Sequence, residues 1–482
     1  MKRTAVMSLI AAIGAYSGLA LGQAAPAAAE DPVEEEAVGR ATRDAAEEPV
    51  PREAVPSAPE GELAAPRGLE EAVSAEPSPA ESLVSPSPGL TLGGPGTEAS
   101  PVAPAPAALP DAEAPPAEPS FKFYGHARLD STYATGRMGN TQLGFWARSP
   151  DADGDYTPEF TMYPRWSRLG VDWNGGGLGG DVATLGAKIE IDFHGGGSES
   201  RAVPRMRHAY GTVQIGDVTF LGGQTWDLFA PLIAGGMENA ILWYGGNLGD
   251  RRPQLRVTYA PDLGPVGLVM AAAAAQSGAV DMEDVDGDGV MDGNAWAKPA
   301  AQGLVELRIR AFGEKPLRVG ASGHYGGKTI QVAGEEETFD VFAAVGHVEV
   351  PVSILTVRAE VWAGENVNDL RGGIGQGIAI TRNVQNAEAI DDAEAIEARG
   401  GWAHVNLVPV DWYSVTLGIG LDNPREVGSG ARTKNTTFNF ANVFKPWQPV
   451  SLGLTLDRYH TKYQGGDTAK VNRITASTMV SF

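Results

Sequence analysis

Three groups of residues in this 482-residue chain are of types, and at spacings, that can do chemistry. The first is a set of charged side chains at alternate positions of short segments: Arg128, Arg168, Asp172, Lys188, Glu190, Arg205, Arg207, Arg256, Arg308 and Arg473. Along a narrow, partly dehydrated passage, such groups act at low effective dielectric. They then sort charged solutes more strongly than they would in water. Acidic neighbours such as Asp130, Asp172, Glu190, Asp192 and Glu306 allow a second reading, in which each arginine is simply paired; for any one arginine the two readings are equal.

The second group lies in residues 225–252, where Trp226, Asp227, Glu238 and Asp250 stand among Phe229, Trp243 and Tyr244. Carboxylates there can narrow and charge a passage, while the aromatics pack the segment against a wall; the alternative is a plain surface excursion. The third group is Asp284, Asp286, Asp288 and Asp292, carboxylates at positions one, three, five and nine of a loop with Gly289 at its turn. Oxygen ligands at that spacing suit a hard cation, calcium above all. Ala295 stands where the twelfth-position glutamate of an EF-hand belongs, and flanking helices are not evident, so a solvated acidic turn is the competing reading. Asp151, Asp153 and Asp155 are a weaker echo of the same pattern.

Enzyme chemistry finds less support. The chain has no cysteine, so thiol nucleophiles, thiolate metal sites and disulfides are excluded. Its seven histidines are scattered, and no spacing favours a nucleophile–base pair of the kind a membrane lipase or protease requires. No catalytic residue and no required cofactor are expected. With 60 acidic against 37 basic residues, a formal charge of −23, the chain also lacks the basic face of a nucleic-acid binder.

The elements that must position these residues are strands. Lys122, Tyr124, His126, Arg128 and Asp130 alternate with Phe123, Gly125, Ala127 and Leu129; Lys188, Glu190 and Asp192 alternate with Leu185, Ala187, Ile189 and Ile191. The same period of two recurs around Glu306 and Arg308 and around Ser414 and Thr416. Past the first thirty residues no apolar run reaches the ~18–20 residues of a membrane helix. In lipid the remaining solution is a closed barrel, because every backbone polar group must be paired.

Connection lengths then give the topology. Short connections at 174–181, 216–217, 262–265, 313–316, 351–354, 409–412 and 447–449 take turns with long ones at 136–164, 194–203, 225–252, 277–299, 326–337, 365–399, 423–431 and 465–468. Short turns at one end and long loops at the other are the signature of a transmembrane barrel with the short end in the periplasm. Seven short and eight long connections join sixteen antiparallel strands, with fourteen or eighteen as neighbouring counts, and both ends of the barrel chain fall on the short side. The final segment places Ile474, Ala476, Thr478, Val480 and Phe482 on one face, a terminal aromatic pattern like the assembly signal of outer-membrane barrels.

Ahead of the barrel, which spans 121–482, lie two further regions. Residues 1–29 carry Lys2 and Arg3 before a small-residue apolar stretch and read as a cleaved signal peptide. Residues 30–120 are rich in Pro, Ala and Glu. From Gln23 to Ser120 the chain has 19 acidic and 4 basic residues, a net of −15, and no aromatic. Such a segment cannot bury enough apolar area to offset its ordering entropy, so a disordered periplasmic arm is expected. Extended at roughly 3.1 Å per residue, it reaches far enough to meet a cell-wall or periplasmic partner. A structural anchor, a plugged barrel tethered through this arm, is therefore the alternative to a conducting one.

The barrel region resembles the Gram-negative porins, most closely the DcaP-like trimeric porins. The likeness is carried by Phe121-Lys-Phe-Tyr-Gly-His-Ala-Arg-Leu-Asp130, Ser167-Arg-Leu-Gly170, Arg205-Met-Arg-His-Ala-Tyr-Gly211, Gly222-Gly-Gln-Thr-Trp226, Pro253-Gln-Leu-Arg256 and Asn442-Val-Phe-Lys-Pro446. It covers nearly all of 121–482, through short motifs. The resemblance implies a sixteen-stranded homotrimer in outer-membrane lipid and lipopolysaccharide. It also implies a third long loop folded into the pore, and passive diffusion of small hydrophilic solutes with a preference for small organic anions. Arg168 resembles a wall arginine of the porins' basic ladder. The family's coiled coil before the barrel is replaced here by the Pro-rich arm, which removes that route to trimerisation.

Overall fold

Strand after strand in this chain alternates one side chain toward an apolar medium and the next toward a polar one, and only a closed cylinder pairs every backbone group of such strands. The computed structural model describes residues 119–150, 156–178, 182–198, 200–235, 237, 242–313, 315–386, 388–466 and 468–482. The expected leader, nearly all of the expected arm, the 151–155 echo and Glu238 lie outside the described residues.

The chain forms β1 (Ser120–Ala134), β2 (Glu159–Tyr163), β3 (Arg168–Leu178), β4 (Ala183–Asp192), β5 (Arg205–Ile215), β6 (Val218–Trp226), β7 (Arg251–Tyr259), β8 (Val266–Ala275) and β9 (Ala300–Ile309). It continues with β10 (Leu317–Val332), β11 (Glu335–Val352), β12 (Leu355–Glu365), a small hairpin of β13 (Ile378–Arg382) and β14 (Ile390–Ala395), and then β15 (Glu397–Val410), β16 (Tyr413–Pro424), β17 (Arg432–Trp447), β18 (Val450–Tyr463) and β19 (Thr468–Ser481). Each wall strand pairs antiparallel with its neighbours in sequence order. β2 and β3 share one place in the wall: β2 pairs with the upper half of β1 and β3 with its lower half. Pro164, which cannot donate to a ladder, sits in the break between them. The result is a closed barrel of sixteen strands.

Closure runs through β1 and β19, from His126↔Ser481 to Ala134↔Arg473. Gly125 and Phe482 exchange both backbone hydrogen bonds at 3.0 Å, which completes the ladder at the short-turn end. The outward positions are apolar and uncovered, as at Phe123 (77% exposed), Leu255 (69%) and Val361 (67%). Exposed Phe121, Trp412 and Trp447 ring the short-turn end, the interfacial girdle that a membrane barrel carries. Inward positions are polar and covered: Asp130, Glu306 and Arg473 are each at most 1% exposed. Among the described residues no helix is long and apolar enough to cross a membrane.

One expected loop is instead strand. The 326–337 connection is the continuation of β10 and β11, which stay paired from Arg318↔Glu349 to Val332↔Glu335. Ala333 and Gly334 make the turn, both at positive φ (52° and 85°), as a tight hairpin requires. The extension persists because Ile330 and Phe339 bury against Ile390 and Ala393 of the β13–β14 hairpin. Polar Lys328 and Gln331 disguise it in the sequence.

Candidate functional site: the charged interior of the barrel

The segment between β6 and β7 turns inward and crosses the barrel. Its backbone N–H groups are received by one wall strand after another. Leu228 donates to Gln302 of β9 (2.8 Å), Ala230 to Ser322 of β10 (3.2 Å), Leu232 to Glu360 of β12 (2.8 Å) and Gly235 to His404 of β15 (3.0 Å). On β1, the Arg128 guanidinium donates to the Met237 carbonyl at 2.7 Å. Returning, the segment gives its Tyr244 carbonyl to Asn435 of β17 (2.8 Å) and its Gly246 carbonyl to Trp362 Nε1 of β12 (2.6 Å). Gly246 lies at φ +119°, where a Cβ would run into the backbone of Gly401 and Leu421, so only glycine allows this approach to the wall. Phe229, Leu232, Trp243 and Leu248 of the segment are fully or almost fully buried; Trp362 and Trp402 of the wall and Leu370 and Ile374 of the 366–396 connection pack with them.

Two ion clusters, of two pairs each, fix the ends of this crossing. Arg252, with no exposed side-chain surface, holds Asp227 at 2.6 Å and Asp369 at 2.8 Å, tying β7 to the crossing segment and to the short helical turn Val367–Leu370. Asp250 is gripped by Arg251 at 3.1 Å and Arg371 at 2.7 Å. Burial alone would raise the Asp250 carboxyl, but Arg371 and Arg251 hold it well below the ordinary carboxylate range.

Beside this clamp the wall is dense with guanidinium groups. Arg207 spans Glu190 (2.6 Å) and Asp192 (3.0 Å), Arg205 meets Asp192 at 2.6 Å, and Arg168 lies 3.4 Å from Glu190. Arg251 feels the charges of Arg205 and Arg207 as well as that of Asp192, so these groups form one electrostatic patch. Five guanidiniums (Arg168, Arg205, Arg207, Arg251 and Arg371) thus share three carboxylates (Glu190, Asp192 and Asp250). Four arginines also stack on rings: Arg205 over Trp166 (5.5 Å), Arg251 over Trp226 (4.4 Å), Arg371 over Trp243 (4.8 Å) and Arg432 over Trp146 (4.4 Å). At the rim, His194 packs on Trp166 at 4.2 Å, and burial followed by Arg205 pushes its imidazole down to about 3, so it adds no charge at neutral pH.

The remaining predicted residues fall into pairs. Lys188 meets Asp172 at 2.8 Å and the Tyr124 hydroxyl at 3.0 Å. Arg128 meets Asp130 at 2.9 Å, Arg308 meets Glu306 at 2.7 Å, and Arg473 meets Asp457 at 2.8 Å. Arg256 instead donates to the Gln254 side chain and to the Trp226 carbonyl. Among the four aspartates of the acidic turn, Asp284, Asp286 and Asp292 bring carboxylate oxygens within 4.8 Å of one another. Asp288 is not in that group, and its carboxylate accepts the Val290 N–H.

Arg251, Arg252, Arg371 and Asp369 join the site from beyond the residues that strand alternation marks. The run Asp250-Arg-Arg-Pro253 was a usable signal, since Arg251 and Arg252 point to different partners at a strand start. Arg371 and Asp369 sit in a long connection with no local pattern to mark them.

A closed sixteen-stranded wall, apolar outside and charged within, with one long connection folded across the interior, is the architecture of the porins. The outer membrane channel DcaP of Acinetobacter baumannii has this fold. It is similar at a TM-score of 0.60 and 21% sequence identity, over 76% of this chain and 98% of that one. The barrel is thus DcaP-like in fold, in agreement with the likeness read from the sequence motifs. More distant structures are an anion-selective porin from Comamonas acidovorans (TM-score 0.47, 16% identity, 76% of this chain and 100% of that one) and OmpT, an outer-membrane protein of Vibrio cholerae (TM-score 0.45, 10% identity, 76% and 98%). No protein-family model matches the chain, and comparison with curated proteins finds no relative.

Proposed function

We propose that this chain is an outer-membrane porin through which small hydrophilic solutes diffuse passively, with a preference for small organic anions. The observation that carries the reading is the patch of five guanidiniums on three carboxylates beside the inward segment. Its surplus of positive charge sits where water is scarce, so an anion gains more from it than in bulk solvent. The flanking rings add apolar faces for the carbon skeleton of an organic anion. The fold shared with an outer membrane channel supports the same reading. In it the short-turn end faces the periplasm, and the acidic arm follows a cleaved leader there. Three barrels associate through their walls, and passive diffusion needs no cofactor.

The test is reversal potential in planar bilayers across a KCl gradient. Anion preference is expected, reduced in Arg168→Ala; firm cation preference untouched by that substitution would overturn the reading. One observation favours the anchor alternative, namely the extent to which the crossing segment fills the barrel with buried apolar side chains. A barrel that passes no ion current would decide for it.

A further inference from the structure

The acidic turn between β8 and β9 holds a second group of carboxylates, apart from the guanidinium patch. Asp284, Asp286 and Asp292 place carboxylate oxygens within 4.8 Å of one another, three acidic groups gathered on one turn. The nearby cations are engaged elsewhere: Lys328 of β10 lies 2.5 Å from Asp281 and 2.7 Å from Glu283, Lys298 stands over the Trp296 ring, and Arg382 donates to the Val285 carbonyl. Repulsion alone would drive such carboxylates apart; here they converge.

Asp292 is 1% exposed. One of its oxygens accepts the Val285 N–H at 3.1 Å, and the other, Oδ2, is buried with no hydrogen-bond partner. A buried carboxylate oxygen left unmet is costly, and among the described residues no group meets this one. Asp284 and Asp286 use their backbone bonds to shape the turn: Asp284 accepts from Gly287 and Gly289, and Asp286 accepts from Asp288 and from Gln331 of β10. Each carboxylate has lone pairs to spare beyond these bonds.

We propose that Asp284, Asp286 and Asp292 bind a calcium ion that pins the 276–299 connection to the extended β10–β11 hairpin. The donor set is all hard oxygen, with no histidine or thiol, which favours calcium over transition metals. Three carboxylates leave room for the carbonyl and water ligands that calcium's six to eight positions take and that magnesium's stricter octahedron accommodates poorly. Because Asp286 also receives the Gln331 N–H of β10, an ion held here fixes the turn to the wall as well as to itself.

The experiment uses the full barrel, purified in detergent and stripped of metal with a chelator. Terbium is added and its luminescence excited through tryptophan; Trp296 stands four residues beyond Asp292. One saturable ion per chain is expected, displaced by calcium and far less by equal magnesium. Asp284→Asn and Asp292→Asn weaken it at least tenfold, while Asp288→Asn stays within about threefold of the parent. Folding of each variant is checked by heat-modifiable migration on gels. Should Asp292→Asn fail to fold, the more exposed Asp284→Asn alone decides. Absence of saturable terbium, or binding unchanged in folded Asp284→Asn, overturns the site; displacement by magnesium as strong as by calcium overturns the assignment to calcium.

Discussion

At the scale of single residues, the charged interior is a matter of unequal counting around shared partners. Glu190 is held by Arg207 and approached by Arg168, so deleting Arg168 leaves the carboxylate paired and removes one unit of surplus positive charge. Arg168→Ala is therefore expected to fold normally and to lower the anion-to-cation permeability ratio about two- to fivefold, read from reversal potentials. Asp250→Asn works in the opposite sense. It frees Arg251 and Arg371 from their common carboxylate and should raise the ratio. The pH dependence has a defined sign. The folded carboxyl of Asp250 lies below its unfolded value of about 3.9. Its contribution is thus fully present above that value and is lost only as pH falls through the lower, folded one. Selectivity measured between pH 7 and pH 5 should stay flat as far as Asp250 is concerned, and a step in that window that disappears in Asp250→Asn would contradict the clamp.

At the scale of elements, the crossing segment is held by chemistry at its ends and by shape in its middle. Arg252 is the hinge of the first, since it joins β7, the start of the crossing and the Val367–Leu370 turn. Arg252→Ala leaves Asp227 and Asp369 buried without their cation, a loss of about 3–5 kcal/mol for a broken buried pair. A lower urea midpoint for the barrel refolded in detergent, with noisier single-channel current, is the expected result. Gly246→Ala tests the middle. With Gly401 and Leu421 in the way, the added methyl lifts the segment from the wall, so conductance should change while the barrel's strand content does not. Circular dichroism and conductance measured on the same preparation separate the two effects.

On the scale of the whole molecule, an apolar exterior and a closed ladder leave the barrel dependent on an amphiphile. Its exposed Phe, Leu, Val and Trp side chains cannot all face water without aggregation. The protein should therefore be extracted only with detergent and show β-dominated spectra. If walls alone join three copies, removal of residues 30–118 leaves the trimer intact on sizing in detergent. Collapse to monomers on that truncation would assign association to the arm instead.

The strand pattern, the number of strands and the alternation of short and long connections were legible in the amino-acid sequence, because lipid on one face imposes a period of two that each strand displays locally. The outward Phe123, Ala127 and Leu129 against inward Arg128 and Asp130 illustrate it. That the long connection after Trp226 turns into the pore was an expectation from its aromatics and from the family likeness; which charge meets which, and which wall groups receive that connection, belonged to the tertiary structure. The N–H groups of Leu228 and Gly235 find their acceptors on Gln302 and His404, 74 and 169 positions away, and no local pattern encodes a partner that distant. For the same reason the β10–β11 extension has the look of a loop in the sequence. Its apolar residues, Ile330 and Phe339, continue the covered face of their strands and pack on a hairpin built from residues 378–382 and 390–395, which exists only once the chain has folded.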